Sequence, residues 1–440
     1  MKNTYLVRGV FWVMVFLVLT LAPLLILFID PIPEGRGFWI EFSVALAFIG
    51  LAMLGLQFGV TARFRHITSA WGIDIIYHFH RQISLIAAAL IVAHPVILFI
   101  TNPAALELLN PITAPWRARF GLIALISLIV LIVISIWRLR LRIRYEAWRL
   151  THGVLATLVI AMAMLHILGV GHYIATPWKQ TFWAVLTFVW IGLLLYVRVL
   201  KPLLMIRRPY EVERVIEERG DAYTLVLRPV KHEGMRHKPG QFTWLTLWNS
   251  PFDVTEHPFS IASSASSGGQ IALTIKNLGD FTSTIQYVKP GKRAYLDGPY
   301  GAFSVDRFPA QAYTFIAGGV GITPMMGILR TLADRGDARP LTLLYGNKTW
   351  DDITFREEIE ALKERLNLHV VHVLEEPPDN WQGETGFITA DILRQHMPPD
   401  LDQHEYFICG PDPMMDAVEK ALQDLGVPLG KYHSERYNLI

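Results

Sequence analysis

The chain has 440 residues, 52% of them hydrophobic, and a mean hydropathy of +0.33, too apolar for an ordinary soluble protein and long enough for two to three domains. A net charge of +2 without a basic tract interleaved with aromatics argues against a nucleic-acid partner. The single cysteine, Cys409, excludes an intramolecular disulfide and any cysteine-built iron–sulfur or zinc site, so a metal would fall to the 15 histidines.

The composition changes near residue 205. Before it lie six apolar runs, at about 10–29, 38–60, 74–101, 118–137, 148–171 and 179–200. Each can cross a bilayer, which takes about 20 residues. The first follows Lys2 and Arg8 as a signal peptide would. Its apolar core is too long, however, and Asp30-Pro31 stands where a small-residue cleavage site belongs, so it reads as a retained helix. Arg63 and Arg65, the cluster Arg138, Arg140, Arg142, Arg144 and Arg149, and then Arg198, Lys201, Arg207 and Arg208 mark one side of the membrane. By the positive-inside rule both termini and everything after residue 208 face the cytoplasm of a cell-membrane protein.

The third run contains His80 and His94, and the fifth contains His152 and His166. Both pairs are fourteen residues apart, about 21 Å of helix and close to four turns, so each pair shares one face. The two helices run in the same direction. His80 and His152 therefore fall at one depth on the cytoplasmic side, and His94 and His166 at another on the outer side. A lone histidine on an apolar helix can simply bond a neighbour, but the repeated spacing is hard to explain as packing, and ionisable groups in a bilayer are costly. Two facing imidazoles at two depths would hold two stacked haems, with no open position on either iron. His78 points to another face, and His66 and His172 are at most supporting groups.

After residue 210 the chain is an ordinary globular mixture. Short strands at 223–229, 241–247, 259–262, 271–275 and 292–296, separated by turns such as Lys238-Pro239-Gly240 and Pro290-Gly291, predict a small antiparallel barrel. From 312 onward, strand–helix alternation predicts a parallel sheet. The expected architecture is an all-α six-helix transmembrane bundle (1–208), an antiparallel β-barrel domain (209–308) and an α/β nucleotide-binding domain (309–440).

The strand at 313–316 runs into Ala317-Gly318-Gly319-Val320-Gly321-Ile322-Thr323-Pro324. Glycines let a backbone approach a pyrophosphate, and the following helix presents its positive end. Gly318, Gly319, Gly321, Thr323 and Pro324 are therefore candidate nucleotide-binding residues, with a purely structural turn as the competing reading. After the strand at 341–345 come Gly346-Asn347-Lys348, with no acidic residue at the strand end to take a ribose 2′-hydroxyl. Asn347 and Lys348 join the candidates. Lys348 can pair with a 2′-phosphate, which favours NADPH over NADH, or be a solvated surface charge.

Several strings resemble the ferredoxin–NADP reductase superfamily. His257-Pro258-Phe259-Ser260 resembles its flavin-binding strand, and histidine at the first position is similar to NADPH oxidases. Gly279-Asp280-Phe281-Thr282 resembles the string that opens a helix against the FAD diphosphate. Gly279, Thr282 and the preceding Lys276 are the cofactor-binding candidates here. Cys409-Gly410-Pro411 resembles the turn beside the nicotinamide, and Ser434-Glu435-Arg436-Tyr437 resembles the terminal signature whose aromatic ring shields the flavin. Tyrosine replaces the usual phenylalanine there, and three residues follow it. The resemblance implies Cys409, Glu435 and Tyr437 as catalytic residues.

Taken together, the six helices, four spaced histidines and ordered motifs resemble the NADPH oxidase and ferric reductase superfamily over nearly the whole chain. That resemblance implies an oxidoreductase passing electrons from NADPH through FAD and two b-type haems to an external acceptor. Oxygen, giving superoxide, is the favoured acceptor, with a ferric chelate as the alternative and a haem-holding membrane scaffold with an inactive reductase tail as a third reading. Arg117, Arg119 and His172 are candidates on the acceptor side. No calcium-binding loop precedes the first helix, which points to constitutive activity or control by partners that the sequence does not reveal.

Overall fold

The computed structural model describes residues 2–29, 32–65, 67–68, 72–247, 250–253, 255–397 and 401–436. Tyr437, His66 and Asp30-Pro31 lie outside them. The chain divides near residue 202 into two compact units, residues 72–74 grouping with the second.

The first unit is helical: α1 (Lys2–Leu25), α2 (Phe38–Val60), α3 (Ile73–Thr101), α4 (Trp116–Ile136), α5 (Tyr145–Val170) and α6 (Pro177–Leu195). Among the described residues, six helices are long and apolar enough to cross a membrane. Helices satisfy their own backbone groups, which is what a segment in hydrocarbon requires. Large side chains such as Phe11, Val18, Leu150 and Phe188 are exposed around the bundle, a surface suited to lipid. The sixth run outlasts its expected end at 200. It passes through a π-helical turn at Tyr196–Leu200 into α7 (Lys201–Ile206), so the candidate span is Pro177–Ile206.

Close approach between these helices depends on small residues, as is usual where lipid removes the hydrophobic drive to associate. A Cβ on Gly50 would stand 2.8 Å from the Ala87 carbonyl oxygen of α3, and one on Gly55 would stand 2.2 Å from the Trp190 indole of α6.

The second unit opens with β1 (Tyr210–Glu218), β2 (Ala222–Pro229), β3 (Phe242–Leu247), β4 (Glu256–Ser260), β5 (Ile271–Lys276) and β6 (Arg293–Tyr300). They form an antiparallel sheet in the order β4-β3-β6-β1-β2-β5. A bridge between Ile261 and Leu273, beside the Ala262 amide donating to Ala272 O, joins the two edges and closes the barrel. Strand β1 was not among the expected strands. Its run of Glu211, Glu213, Arg214, Glu217 and Glu218 hides the alternation in which Tyr210 and Val212 turn inward.

The remainder is α/β: β7 (Ala312–Gly318), α8 (Ile322–Asp334), β8 (Leu341–Asn347), α9 (Arg356–Leu362), β9 (Leu368–Leu374), β10 (Glu384–Thr385), α10 (Ala390–His396), β11 (His404–Cys409), α11 (Asp412–Asp424) and β12 (Tyr432–Ser434). Every pairing is parallel, in the order β10-β9-β8-β7-β11-β12. The order reverses between β7 and β11, which opens a crevice at their carboxyl ends.

Replacing Gly55 with alanine should force the rigid Trp190 ring out of place and cost about 1–3 kcal/mol. Gly192→Ala, where the added carbon meets nothing within 4 Å, should be near neutral. Thermal unfolding of both variants in detergent checks this: equal Tm values would show that the α2–α6 contact is not tight.

Candidate functional site

The four histidines are brought together as two pairs. The rings of His80 on α3 and His152 on α5 have centroids 6.3 Å apart with planes at 61°. His94 and His166, further along the same helices, line one cavity of about 410 Å³. His78 is exposed on another face.

Each of the four rings is held through Nδ1 by an acceptor on a different helix. His80 Nδ1 lies 3.0 Å from Gln57 Oε1, His94 Nδ1 3.2 Å from Ser43 Oγ, His152 Nδ1 3.1 Å from Ser135 Oγ, and His166 Nδ1 2.7 Å from the Arg117 carbonyl oxygen. Donor and acceptor roles follow from where these partners send their own protons. Ser43 Oγ donates to Ile40 O at 2.8 Å, Ser135 Oγ to Leu131 O at 2.7 Å, and the Gln57 amide nitrogen to Met53 O at 3.1 Å. Only a lone pair is left for each imidazole, and a carbonyl can only accept. Every ring therefore donates from Nδ1 and carries its lone pair on Nε2. That tautomer, fixed by a second group, is the one a metal-ligating histidine needs.

Among the described residues no three or more His, Cys, Asp or Glu side chains gather as a metal cluster. A two-histidine site suits a metal that brings its other donors with it, as haem iron does. His80 and His152 would hold such a group between them, each offering Nε2. Glycine lets His166 and its partner Arg117 seat: a Cβ on Gly121 would be 2.9 Å from His166 Nδ1, and one on Gly169 would be 2.8 Å from Arg117 Cβ.

A polar network borders the cavity lined by His94 and His166. Arg36 Nη2 donates to Tyr173 Oη at 2.8 Å, Tyr173 Oη donates to Glu41 Oε2 at 2.8 Å, and the Arg36 amide donates to Glu41 Oε1 at 2.9 Å. His172 and Arg117 also line this cavity. Arg119 does not. Its guanidinium donates to the Ala114 and Ile112 carbonyls and lies over the Trp116 ring, so it clamps the preceding loop.

In the barrel, β4 carries His257, Pro258, Phe259 and the buried Ser260. The His257 ring stacks on Phe281 with centroids 4.1 Å apart, which joins the strand to the Gly279–Thr282 loop. Thr282 Oγ1 accepts from the Leu278 and Gly279 amides, both at 2.9 Å, and donates to Gly279 O at 3.1 Å. The loop is thus shaped by Thr282 before a short 3-10 helix, Thr282–Tyr287. Lys276 ends β5, just ahead of this loop.

The glycine turn lies at the crevice between β7 and β11. A Cβ on Gly318 would meet Met414 Sδ at 2.5 Å and Pro411 Cδ at 3.0 Å, and one on Gly321 would meet Cys409 O at 2.2 Å. Those two glycines, with Gly410, let the two turns touch. Gly319 differs: its φ is +50° and nothing lies within 4 Å of its missing side chain, so its backbone is open to a ligand. Thr323 is buried, its Oγ1 donating to Val320 O at 2.8 Å, and Pro324 follows in the first turn of α8. Cys409 is wholly buried, its thiol donating to Glu435 O at 3.3 Å, and the Glu435 amide donates to Ile408 O at 3.2 Å. At the end of β8, Asn347 Nδ2 is buried with no hydrogen-bond partner among the described residues, an orphaned donor that suits a sugar or phosphate oxygen. Lys348 Nζ pairs at 3.4 Å with Glu376.

Sequence reasoning missed Ser43, Gln57 and Ser135, although a polar residue inside an apolar run is itself a signal. It also missed Phe281 as the ring beside His257. Glu376 was out of reach, because only the pairing of β8 with β9 brings it to Lys348.

Three parts of the chain match known domain families. Residues 46–163 match the ferric reductase like transmembrane component, 220–304 an FAD-binding domain and 315–420 the oxidoreductase NAD-binding domain. The chain therefore joins a ferric reductase-like transmembrane domain to an FAD- and nicotinamide-binding reductase module. The glycine betaine monooxygenase reductase subunit of Chromohalobacter salexigens is 29% identical over 231 residues, 51% of this chain and 62% of that one. NADH-cytochrome b5 reductase 1 of Pyricularia oryzae is 33% identical over 164 residues, 36% of this chain and 53% of that one. These matches span 53% to 62% of the relatives' own length. Among solved structures, the ferredoxin reductase of carbazole 1,9a-dioxygenase is 27% identical, with 52% of this chain and 69% of that one covered and a TM-score of 0.46.

Thr282→Ala should strand two amide donors and loosen the loop, weakening FAD binding roughly tenfold, whereas Thr282→Ser should keep it. Titration of the apoprotein with FAD, followed by flavin fluorescence, reads this directly. Equal affinity in all three proteins would move the flavin elsewhere.

Proposed function

We propose that the protein is a transmembrane oxidoreductase that accepts hydride from NAD(P)H on FAD and sends single electrons through two b-type haems to an acceptor across the membrane, oxygen being reduced to superoxide. The carrying observation is the set of four histidines, paired at two depths, with every Nδ1 proton already committed to a neighbouring helix. His80 and His152 would hold the inner haem and His94 and His166 the outer one. When bound, FAD would supply the conversion of a two-electron hydride into single electrons, and haem held by two histidines would supply one-electron transfer.

The chain's own groups have separable tasks. Gln57 and Ser135 orient the inner ligands, and Ser43 and the Arg117 carbonyl orient the outer ones. The strand His257–Ser260 and the Thr282-shaped loop would seat the flavin. Gly319 and the start of α8 would take the pyrophosphate, with the Cys409–Pro411 turn beside the nicotinamide. Domain limits at 208 and 308 follow from this division, and the arginine-rich loops favour a cytoplasmic reductase half. A ferric chelate is the second reading for the acceptor. The match to the ferric reductase like transmembrane component supports it, as do Arg36 and Arg117 at the outer cavity, which suit an anionic chelate.

Purified protein should contain two haems per chain by pyridine haemochrome analysis, and His94→Ala should lose the outer one while keeping the inner. A stoichiometry of one would end the two-haem reading. With NADPH and FAD supplied, dismutase-sensitive oxygen consumption against Fe(III)-chelate reduction decides the acceptor.

Gly319→Glu should stop haem reduction by NAD(P)H, because a carboxylate would occupy and repel the pyrophosphate. Dithionite should still reduce both haems in that variant. Normal nucleotide-driven haem reduction in Gly319→Glu would make the glycine turn purely structural and place the donor elsewhere.

A further inference from the structure

The end of β8 has a charge pattern that the sequence order conceals. Strand β8 is the immediate neighbour of β7. In a crevice of this kind the pyrophosphate lies on the turn after the first strand and the adenosine ribose reaches the end of the next. The ribose 2′ position would therefore fall beside Asn347 and Lys348. The chain after β9 folds back on this point: the Glu375 amide donates to Asn347 O at 3.1 Å and the Glu376 amide to Lys348 O at 2.8 Å. These two bonds carry the Glu376 carboxylate to 3.4 Å from Lys348 Nζ.

The nearby cations are committed to acids. Lys348 faces Glu376. Arg356 pairs with Asp351 and Glu357, and Arg219, reaching in from the end of β1, pairs with the same two residues. Over segments 348–356 and 375–379, two basic side chains stand against five acidic ones, a net charge of −3. A dianionic 2′-phosphate needs the opposite balance. A 2′-hydroxyl, by contrast, is a good donor to a carboxylate.

We propose that Glu376 sets nucleotide choice, accepting the ribose 2′-hydroxyl of NADH and repelling the 2′-phosphate of NADPH, with Lys348 as its counter-ion. This rests on the crevice being the nucleotide site, and it reverses the preference that Lys348 alone suggests. The partners are separate in sequence, so the selectivity element is assembled by the parallel pairing of β8 with β9.

The test is anaerobic stopped-flow reduction of the bound flavin in the full-length, FAD-loaded protein, with NADH and NADPH in parallel. Wild type should favour NADH, chiefly through the nucleotide concentration at half-maximal rate. Glu376→Gln should narrow that preference roughly fivefold to twentyfold, mostly by tightening NADPH, the order expected for unit charges a few ångströms apart near a surface. Lys348→Ala should weaken NADPH further, because it leaves the carboxylate unopposed. A wild type that prefers NADPH, or an unchanged ratio in Glu376→Gln, overturns the proposal while leaving the nucleotide site in place. Flavin reduced by neither nucleotide would instead overturn the site itself.

Discussion

An imidazole inside an apolar helix bundle must find a hydrogen-bond partner, and the geometry of the membrane unit follows from that requirement. An unsatisfied buried N–H costs about 1–3 kcal/mol, and water is absent to meet it. Helix α2 answers both histidines of α3, through Ser43 and Gln57. Helix α4 answers both histidines of α5, through Arg117 and Ser135. The pairs α2–α3 and α4–α5 are thereby each tied into register by two bonds. Ser43 and Gln57 are fourteen residues apart, the same interval as His94 and His80, as an antiparallel pair of straight helices demands.

The same economy appears in the reductase unit, where glycines rather than polar groups set the distances. Gly318, Gly321 and Gly410 let the turns after β7 and β11 touch, closing the floor of the crevice. Gly319 alone keeps its side-chain direction open. A motif of several glycines thus divides into residues that pack protein against protein and one that faces a ligand. Their shared spacing in the sequence does not distinguish those tasks.

Much of this was legible in the sequence because it depends on local or periodic signals. Six apolar runs, the fourteen-residue histidine interval and the strand-to-glycine-turn string each lie within one stretch of chain. Strand β1 was hidden because its outward face is dense with charge, and β12 because three residues carry no period. The role of Thr282 was only half visible. The motif marks it as a candidate flavin contact, and the structure uses its oxygen to shape the Gly279–Thr282 loop. Arg119 looked like a cation for the acceptor side, yet two carbonyls of its own loop hold it away from the His94–His166 cavity. Pairs such as Lys348–Glu376 depend on strand neighbours, which no local pattern encodes.

Both candidate sites share one physical device: a hydrogen bond made to protein decides which atom remains for the ligand. In the bundle, committing Nδ1 leaves the Nε2 lone pair, the atom that a metal would need. In the crevice, Tyr345 Oη donates to Gly319 O at 3.1 Å, tethering the open glycine to β8, while Asn347 Nδ2, two residues along that strand, makes no well-formed hydrogen bond among the described residues. A buried donor without a partner is a standing cost of about 1–3 kcal/mol, recovered when a ligand oxygen meets it. The histidine pairs are stable as they stand and select by lone-pair direction. The crevice instead leaves the Asn347 donor for a ligand oxygen. On that basis the proposed haem histidines have their ring orientation set by protein alone, whereas the nicotinamide crevice keeps one donor in reserve.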